Sequence, residues 1–255
     1  MIRDVFGIMK QETLTYDDIQ TKKALDQAVE EMKRPFKNVA DMWVGTFFRE
    51  EVKDYDTILS NVTLARGRKS AAQDYQFFHW ELEFPEVFFD EEGRYLDKVG
   101  FDAVIGNPPY VRQEMLSHLK EYMNQQYKVY HGIADLYVYF IEQGISLLKP
   151  NGIFGAIVSN KWMRANYGMP LRRWMKQRRI EEIIDFGDLP VFEAATTYPC
   201  ILRISKGSPR TTFEATQVKT LSFSSLYDYM RGQCYPVNQI TLDDNAGWSL
   251  AKERV

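Results

Sequence analysis

Cysteine is scarce in this 255-residue chain: there are two, Cys200 and Cys234, at no metal-ligand spacing. No disulfide framework is implied, and a reducing cytoplasm is the default compartment. His79, His118 and His131 stand singly, which argues against a metal site or a catalytic triad. Long apolar runs are missing as well; none approaches the roughly 20 residues of a membrane span. The amino terminus turns acidic where the apolar stretch of a signal peptide would run. There is no internal repeat and no low-complexity tract. Carboxylates are absent from Asn151 to Ile180, a window that holds Lys161, Arg164, Arg172, Arg173, Lys176, Arg178 and Arg179. The sign reverses between Glu81 and Glu92. The net charge of −3 says nothing for nucleic acid. A local basic block says more, because phosphate contact depends on the local field. Arg172, Arg173, Lys176, Arg178 and Arg179 are therefore candidate phosphate contacts, with a solvated helix face as the plainer alternative. Glu83, Glu86 and Asp90 lack the Asp…Glu-x-Lys pattern of a metal-dependent nuclease and read as exposed acids.

What the chain does have is an apolar share of 45%, ample for a core. Ile19, Leu25, Ala28, Val29 and Met32 fall near helical spacing over residues 17–33, and Phe36, Val39, Trp43 and Phe47 continue the signal over 36–48. Residues 61–74 read as an exposed segment or a loop-to-helix join, and the aromatic stretch 75–88, with Pro85, takes no clean assignment. From residue 100 the pattern changes. Phe101–Ile105, Ile153–Val158, Ile180–Phe186 and Cys200–Ser205 are short, nearly continuous apolar runs, the mark of buried strands. Between them Gln113–Tyr122, Asp135–Leu148 and Leu171–Gln177 read as helices, the second stopped by Lys-Pro-Asn-Gly at 149–152. This alternation predicts a parallel or mixed α/β sheet. After Gly207 the sequence loosens into polar, Tyr- and Ser-rich stretches with no long periodic element.

Ligands of open α/β sheets sit beyond the carboxyl ends of the strands. The first strand runs there into Asn107-Pro108-Pro109-Tyr110. Two prolines cannot donate to a sheet ladder, so the strand must stop. The Asn107 side-chain oxygen and the stiffly held Pro108 carbonyl are two acceptors that suit a planar NH₂ group. Tyr110 suits the ring that bears it. Two acceptors on an adenine amine would localise its lone pair and prepare it to attack a methyl group on a positively charged sulfur. In a duplex that amine is paired, so the base must be flipped out. At the ends of the second and third strands lie "SNKW" and "DFGDLPVF". Asn160 and Lys161 are candidate lining of the substrate cleft, the alternative being a solvated loop.

The stretches "DAVIGNPPY", "ADLYVYFIEQGISLLKPNGIFGAIVSNKW" and "RIEEIIDFGDLPVFEAATTYPCILRISK" together resemble the catalytic half of amino-group (N6-adenine) DNA methyltransferases. The nearest likeness is to those fused to nucleases in type IIG restriction-modification systems, or to related phage-defence methyltransferases. Residues 75–207 carry most of it. The resemblance implies a partial Rossmann-like methyltransferase sheet, mostly parallel, with an N-terminal helical segment. It implies methyl transfer from S-adenosylmethionine to a flipped adenine of double-stranded DNA, in a cytoplasmic protein that meets no membrane. By match, Asn107 and Pro108 accept from the amine, Tyr110 stacks on the base, and Pro109 completes the substrate-binding corner. Phe192 corresponds to a second aromatic against the base. Phe140 corresponds to a contact with the cofactor's adenine, and also fits a core aromatic of an amphipathic helix.

One family feature is missing. The Gly-rich loop that holds S-adenosylmethionine precedes Asn-Pro-Pro-Tyr in this arrangement, yet Gly7, Gly45, Gly67 and Gly93 stand singly. The expectation is a helical segment at 1–75, the catalytic half of a methyltransferase domain at 76–207, and a linker towards a target-recognition domain at 208–255. The strand Phe101–Ile105 would then have a bare edge, an association hazard. Cover by helices from 17–48, or a homodimer through that edge, is expected. Two other readings share the motif: a methyltransferase acting on a glutamine amide in a protein, and a non-catalytic half-domain.

Overall fold

The computed structural model describes residues 1–45, 47, 77–192 and 198–250. They belong to two units, Met1–Val99 and Gly100–Val255. In the first, α1 (Ile2–Lys10) starts on an N-terminal amine paired with Asp4 at 2.6 Å. A reciprocal cap opens α2 (Tyr16–Gly45): the Asp18 carboxylate accepts from the Thr15 N–H at 2.8 Å, and the Asp18 N–H donates to the Thr15 hydroxyl at 3.2 Å. The helical signal of 17–33 and that of 36–48, the latter as far as Gly45, are thus one helix, continuous through Pro35. Residues 61–74 lie outside the described residues. The described part of the unassigned aromatic stretch, 77–88, holds two single turns, α3 (Trp80–Glu83) and α4 (Pro85–Phe88), the latter begun by Pro85, whose missing N–H costs nothing there. His79 Nε2 lies 2.7 Å from Asp41, and Lys37 bridges Glu30 and Glu83 at 3.0 and 2.7 Å.

The second unit is built on a six-stranded sheet in the order β1-β2-β4-β3-β5-β6. The strands are β1 (Phe101–Gly106), β2 (Leu148–Ser159), β3 (Arg179–Asp185), β4 (Pro199–Ser205), β5 (Thr212–Gln217) and β6 (Tyr235–Asn238). β1, β2, β3 and β5 run one way; β4 and β6 run the other. A 3-10 turn, Gln113–Leu119, leads into α5 (Lys120–Gln126), where a single helix is predicted. α6 (Tyr137–Ser146) crosses from β1 to β2, α7 (Met169–Met175) from β2 to β3, and α8 (Leu226–Gln233) joins β5 to β6.

One face of the sheet carries the main core, where Val138, Ile141 and Ile145 of α6 pack with Phe154, Val158, Ile183, Leu202 and Ile204. The approach is close: a Cβ on Gly144 would stand 2.5 Å from the Phe154 ring. Alternation along β3 sends Ile184 to the other face, where it clusters with Phe186 and Val218. The Lys-Pro-Asn-Gly stretch ends the helix but also lies inside β2. Leu148 to Ile153 runs opposite only Phe101 to Ala103, so the strand bulges, with Asn151 at φ 64°.

The expected linker at 208–255 is not one: β5, β6 and α8 fall within it, and Trp248 and Leu250 belong to the main core. Trp248 meets Trp162 edge-on at 5.4 Å. Among the described residues β1 has a strand neighbour on the β2 side alone, and its Ile105 is 86% exposed.

Candidate active site

The register fixes which edge each candidate occupies. Gly106 pairs with Ala156, Val158 with Cys200, and Cys200 with Asp185. The corner after β1, the turn after β2 and the loop after β3 therefore share the carboxyl edge of the sheet. Arg179, paired with Ser205 and through it with Ile153, lies at the amino edge.

At the corner Pro108 is buried while Asn107, Pro109 and Tyr110 are exposed. The Val111 N–H closes a tight turn on the Pro109 carbonyl at 3.0 Å. The corner is then hooked to the start of α6: the Leu136 N–H donates to Val111 O at 3.1 Å, and the Gln113 N–H to Asp135 at 3.3 Å. The Asn107 amide has no hydrogen-bond partner among the described residues. Tyr110 is 40% exposed; burial, and next the Cys200 thiol, push its phenol up, so it stays protonated at neutral pH. An uncommitted amide beside a neutral aromatic ring is an arrangement that can grip a flat heterocycle.

The neighbouring turns add to this edge. Lys161 is exposed, with its amine 5.6 Å from the centre of the Tyr198 ring. It also lies near enough to Asp135 to draw that carboxyl down, although burial, the larger effect, leaves it raised. The Asn160 Nδ2 donates to Asp185 at 2.7 Å, which commits one of its two N–H groups. Phe192 is half-buried on the β3–β4 loop, and residues 193–197 lie outside the described residues. Phe140 is 44% exposed, whereas Tyr137, Val138, Tyr139 and Ile141 around it are buried. A core role for Phe140 is thereby excluded. Asp135, Asp185 and Tyr198 were not singled out in the sequence, although all three sit inside the quoted stretches.

The basic block fares differently. Arg172 is fully buried, and its guanidinium donates to the carbonyls of Trp162, Ala165 and Asp244, the last two at 2.9 Å. It cannot reach a phosphate, and that expectation is corrected. Arg173 donates to Asn245 at 2.9 Å, and Lys176 to the Leu242 carbonyl. Arg178 lies over the Trp174 ring at 4.4 Å, and Arg179 pairs with Glu181 at 2.6 Å. A cavity of about 670 Å³ at this amino edge is lined by Arg173, Lys176, Arg210 and Asp244 among others.

Among the described residues no group of three His, Cys, Asp or Glu side chains could hold a metal ion. For S-adenosylmethionine the described residues include the candidate ring Phe140, which is exposed, and no strand followed by a Gly-rich turn. They do not make a complete site for it.

Similarity to known proteins gives the class: the chain lies among the methyltransferases of restriction-modification systems. A family model described as Eco57I restriction-modification methylase matches residues 10–192, and the chain belongs to that family. It is 38% identical over 110 residues to the type II methyltransferase M.PaeR7I of Pseudomonas aeruginosa, a match covering 42% of this chain and 19% of that protein. It is 34% identical over 76 residues to the adenine-specific methyltransferase BrxX of Escherichia coli O9:H4 (strain HS), covering 29% and 6%. The crystal structure of the type IIG restriction endonuclease BpuSI is similar with a TM-score of 0.47 at 15% identity, over 58% of this chain and 20% of that one. The chain thus spans about a fifth of the length of M.PaeR7I and less of BrxX.

Proposed function

We propose that this chain carries the adenine-holding half of a restriction-modification DNA methyltransferase, one that methylates N6 of a flipped adenine in double-stranded DNA. The observation that supports it most is the corner after β1, with Asn107 exposed and unpartnered and Tyr110 exposed beside it. The similarity to an adenine-specific methyltransferase favours adenine over a glutamine amide.

S-adenosylmethionine would supply the methyl group on a positively charged sulfur, and a complete site for it requires residues beyond those described. This chain's residues act on the acceptor. Asn107 Oδ1 and the Pro108 carbonyl accept the two amine hydrogens and hold the nitrogen lone pair in place. Both are neutral, so the proton that the amine loses passes on to water. Tyr110 stacks on the base, an interaction of about 1–3 kcal/mol, with Phe192 as the second ring. Lys161, exposed on the same edge, would line the substrate cleft and meet the flipped nucleotide's phosphate. The side of β1 that has no strand neighbour among the described residues is where a second copy of the chain would add, which sedimentation would read as a dimer. Among the described residues no helix is long and apolar enough to cross a membrane, in keeping with a cytoplasmic enzyme.

A single-stranded oligonucleotide carrying 8-azidoadenine tests the reading on the chain itself. After irradiation, peptide mapping should place the adduct on Tyr110 and Phe192, and free adenosine should compete it away. A glutamine peptide should not compete. Adducts confined to the basic residues, or competition by the peptide instead, would overturn the adenine assignment.

A further inference from the structure

Asn160 begins the turn after β2 and touches both ends of the β3–β4 loop. Its side-chain Nδ2 donates to Asp185 Oδ1 at 2.7 Å, and its backbone N–H donates to the Tyr198 carbonyl at 2.6 Å. Asp185 is the last residue of β3, and Tyr198 immediately precedes β4. Asp185 is only 8% exposed, and the same Oδ1 accepts the Gly187 N–H at 3.0 Å. Gly187 has φ +58°, a conformation other residues rarely adopt, and it turns the chain directly after the strand. A carboxylate at that depth requires donors, and charge-assisted bonds of this kind are about twice as strong as neutral ones.

Closing the loop's neck does not by itself require these two side chains. The Phe186 N–H already bonds to the Pro199 carbonyl at 3.1 Å, and the β3–β4 ladder begins at Asp185 and Cys200. The amide and the carboxylate add direction. Asp185 can only accept, so the Asn160 amide has one allowed orientation, and the end of β2 is fixed against the turn after β3. That turn leads to Phe192, on the same edge as Asn107 and Tyr110.

We propose that Asn160 and Asp185 form a positioning pair that holds the Phe192 turn at the spacing from Tyr110 that one adenine ring requires. Asn160 is then not a substrate ligand. The proposal rests on the adenine reading above, and it assigns Asp185 a part in the site.

The test uses the full chain with Asn160→Ala, Asn160→Asp, Asp185→Asn and the double variant N160D/D185N. One readout is the ratio of 8-azidoadenine adducts on Phe192 and Tyr110. The other is amide exchange at Gly187, with Leu202 and Ile204 as core references. Asn160→Asp sets two carboxylates against each other. It should lower the Phe192 adduct relative to Tyr110 and speed Gly187 exchange, each roughly tenfold, with Asn160→Ala in the same direction. Asp185→Asn should stay near wild type, because the introduced carbonyl still accepts from Asn160. The double variant exchanges donor and acceptor across the pair and should restore the adduct ratio, which a role in filling space would not; Gly187 exchange should stay fast in it, because the oxygen that faces Asn160 is also the acceptor of the Gly187 N–H and is there replaced by an NH₂.

The proposal is overturned if Asn160→Ala changes neither readout, if exchange rises in it while the adduct ratio holds, or if the double variant is no better than Asn160→Asp in the adduct ratio. Should Asn160→Asp also expose the Leu202 and Ile204 amides, it has unfolded, and Asn160→Ala with Asp185→Asn decides. Should wild type give no adenine adduct on either ring, the adenine reading falls, and the pair is judged by Gly187 exchange in Asn160→Ala and Asp185→Asn alone: faster in the first and near wild type in the second if the pair holds the turn, unchanged in the first if it does not.

Discussion

The two edges of one sheet treat their polar side chains in opposite ways. At the carboxyl edge the Asn107 amide and the Lys161 amine are exposed, with the rings of Tyr110 and Phe140. At the amino edge Lys176 donates to Leu242, Arg178 covers Trp174 and Arg179 faces Glu181, and Arg172 on α7, which reaches back to the segment after β2, is enclosed by carbonyls. The richer run of charge marks the busier scaffold, and the edge with few charges keeps its groups available. A basic stretch becomes a candidate phosphate surface only after its internal partners have been counted.

Arg172→Ala puts the largest strain on this contrast. It would leave three carbonyls without their donor, and should cost roughly 3 kcal/mol or more in urea unfolding. A loss below about 1 kcal/mol would return Arg172 to the candidate phosphate ligands. Tyr110→Ala should do the reverse. It should weaken binding of an adenine-containing oligonucleotide by about 1–3 kcal/mol while the unfolding midpoint barely moves. Equal loss of binding for an oligonucleotide without adenine would show that the ring does not stack on that base. Arg178→Ala removes a cation from the Trp174 ring and should cost about 0.5–1 kcal/mol of stability, again by urea unfolding, and leave oligonucleotide binding alone. A clear drop in binding would mean that the amino edge meets nucleic acid after all.

The smallest effect is gated by pH. Burial holds the Asp135 carboxyl above its ordinary 3.8. Its favourable contribution is therefore complete below the unfolded-state value and is lost as pH rises through the raised folded value. Asp135→Asn should gain on wild type as the pH climbs from about 3 to about 6 in urea titrations. A constant difference across that range would place Asp135 in full solvent.

Four strands were legible because they are nearly unbroken apolar runs, and each is found within a few residues of its expected span. β5 and β6 were not. Thr212–Gln217 buries Phe213 and Ala215 between polar neighbours, and Tyr235–Asn238 is four residues long and contains Pro236, so neither resembles a doubly buried strand. The bulge in β2 was hidden by a Lys-Pro-Asn-Gly signal, which ends a helix correctly and carries no information on the element after it. At the site, the corner from Asn107 to Tyr110 announces itself through consecutive residues. The Asn160 to Asp185 contact joins residues that meet only when β2 and β3 are placed on either side of β4, and no local pattern carries that. The burial of Arg172 likewise depends on Asp244, which arrives from the far end of the unit.

Among the described residues β1 is the outermost strand on its side of the sheet, with β2 as its one strand neighbour. A boundary of that kind runs through peptide hydrogen bonds, which re-form with any matching strand, and leaves the interlocked side chains of the interior intact. A strand supplied from elsewhere could therefore dock there last, with no repacking of what lies behind it.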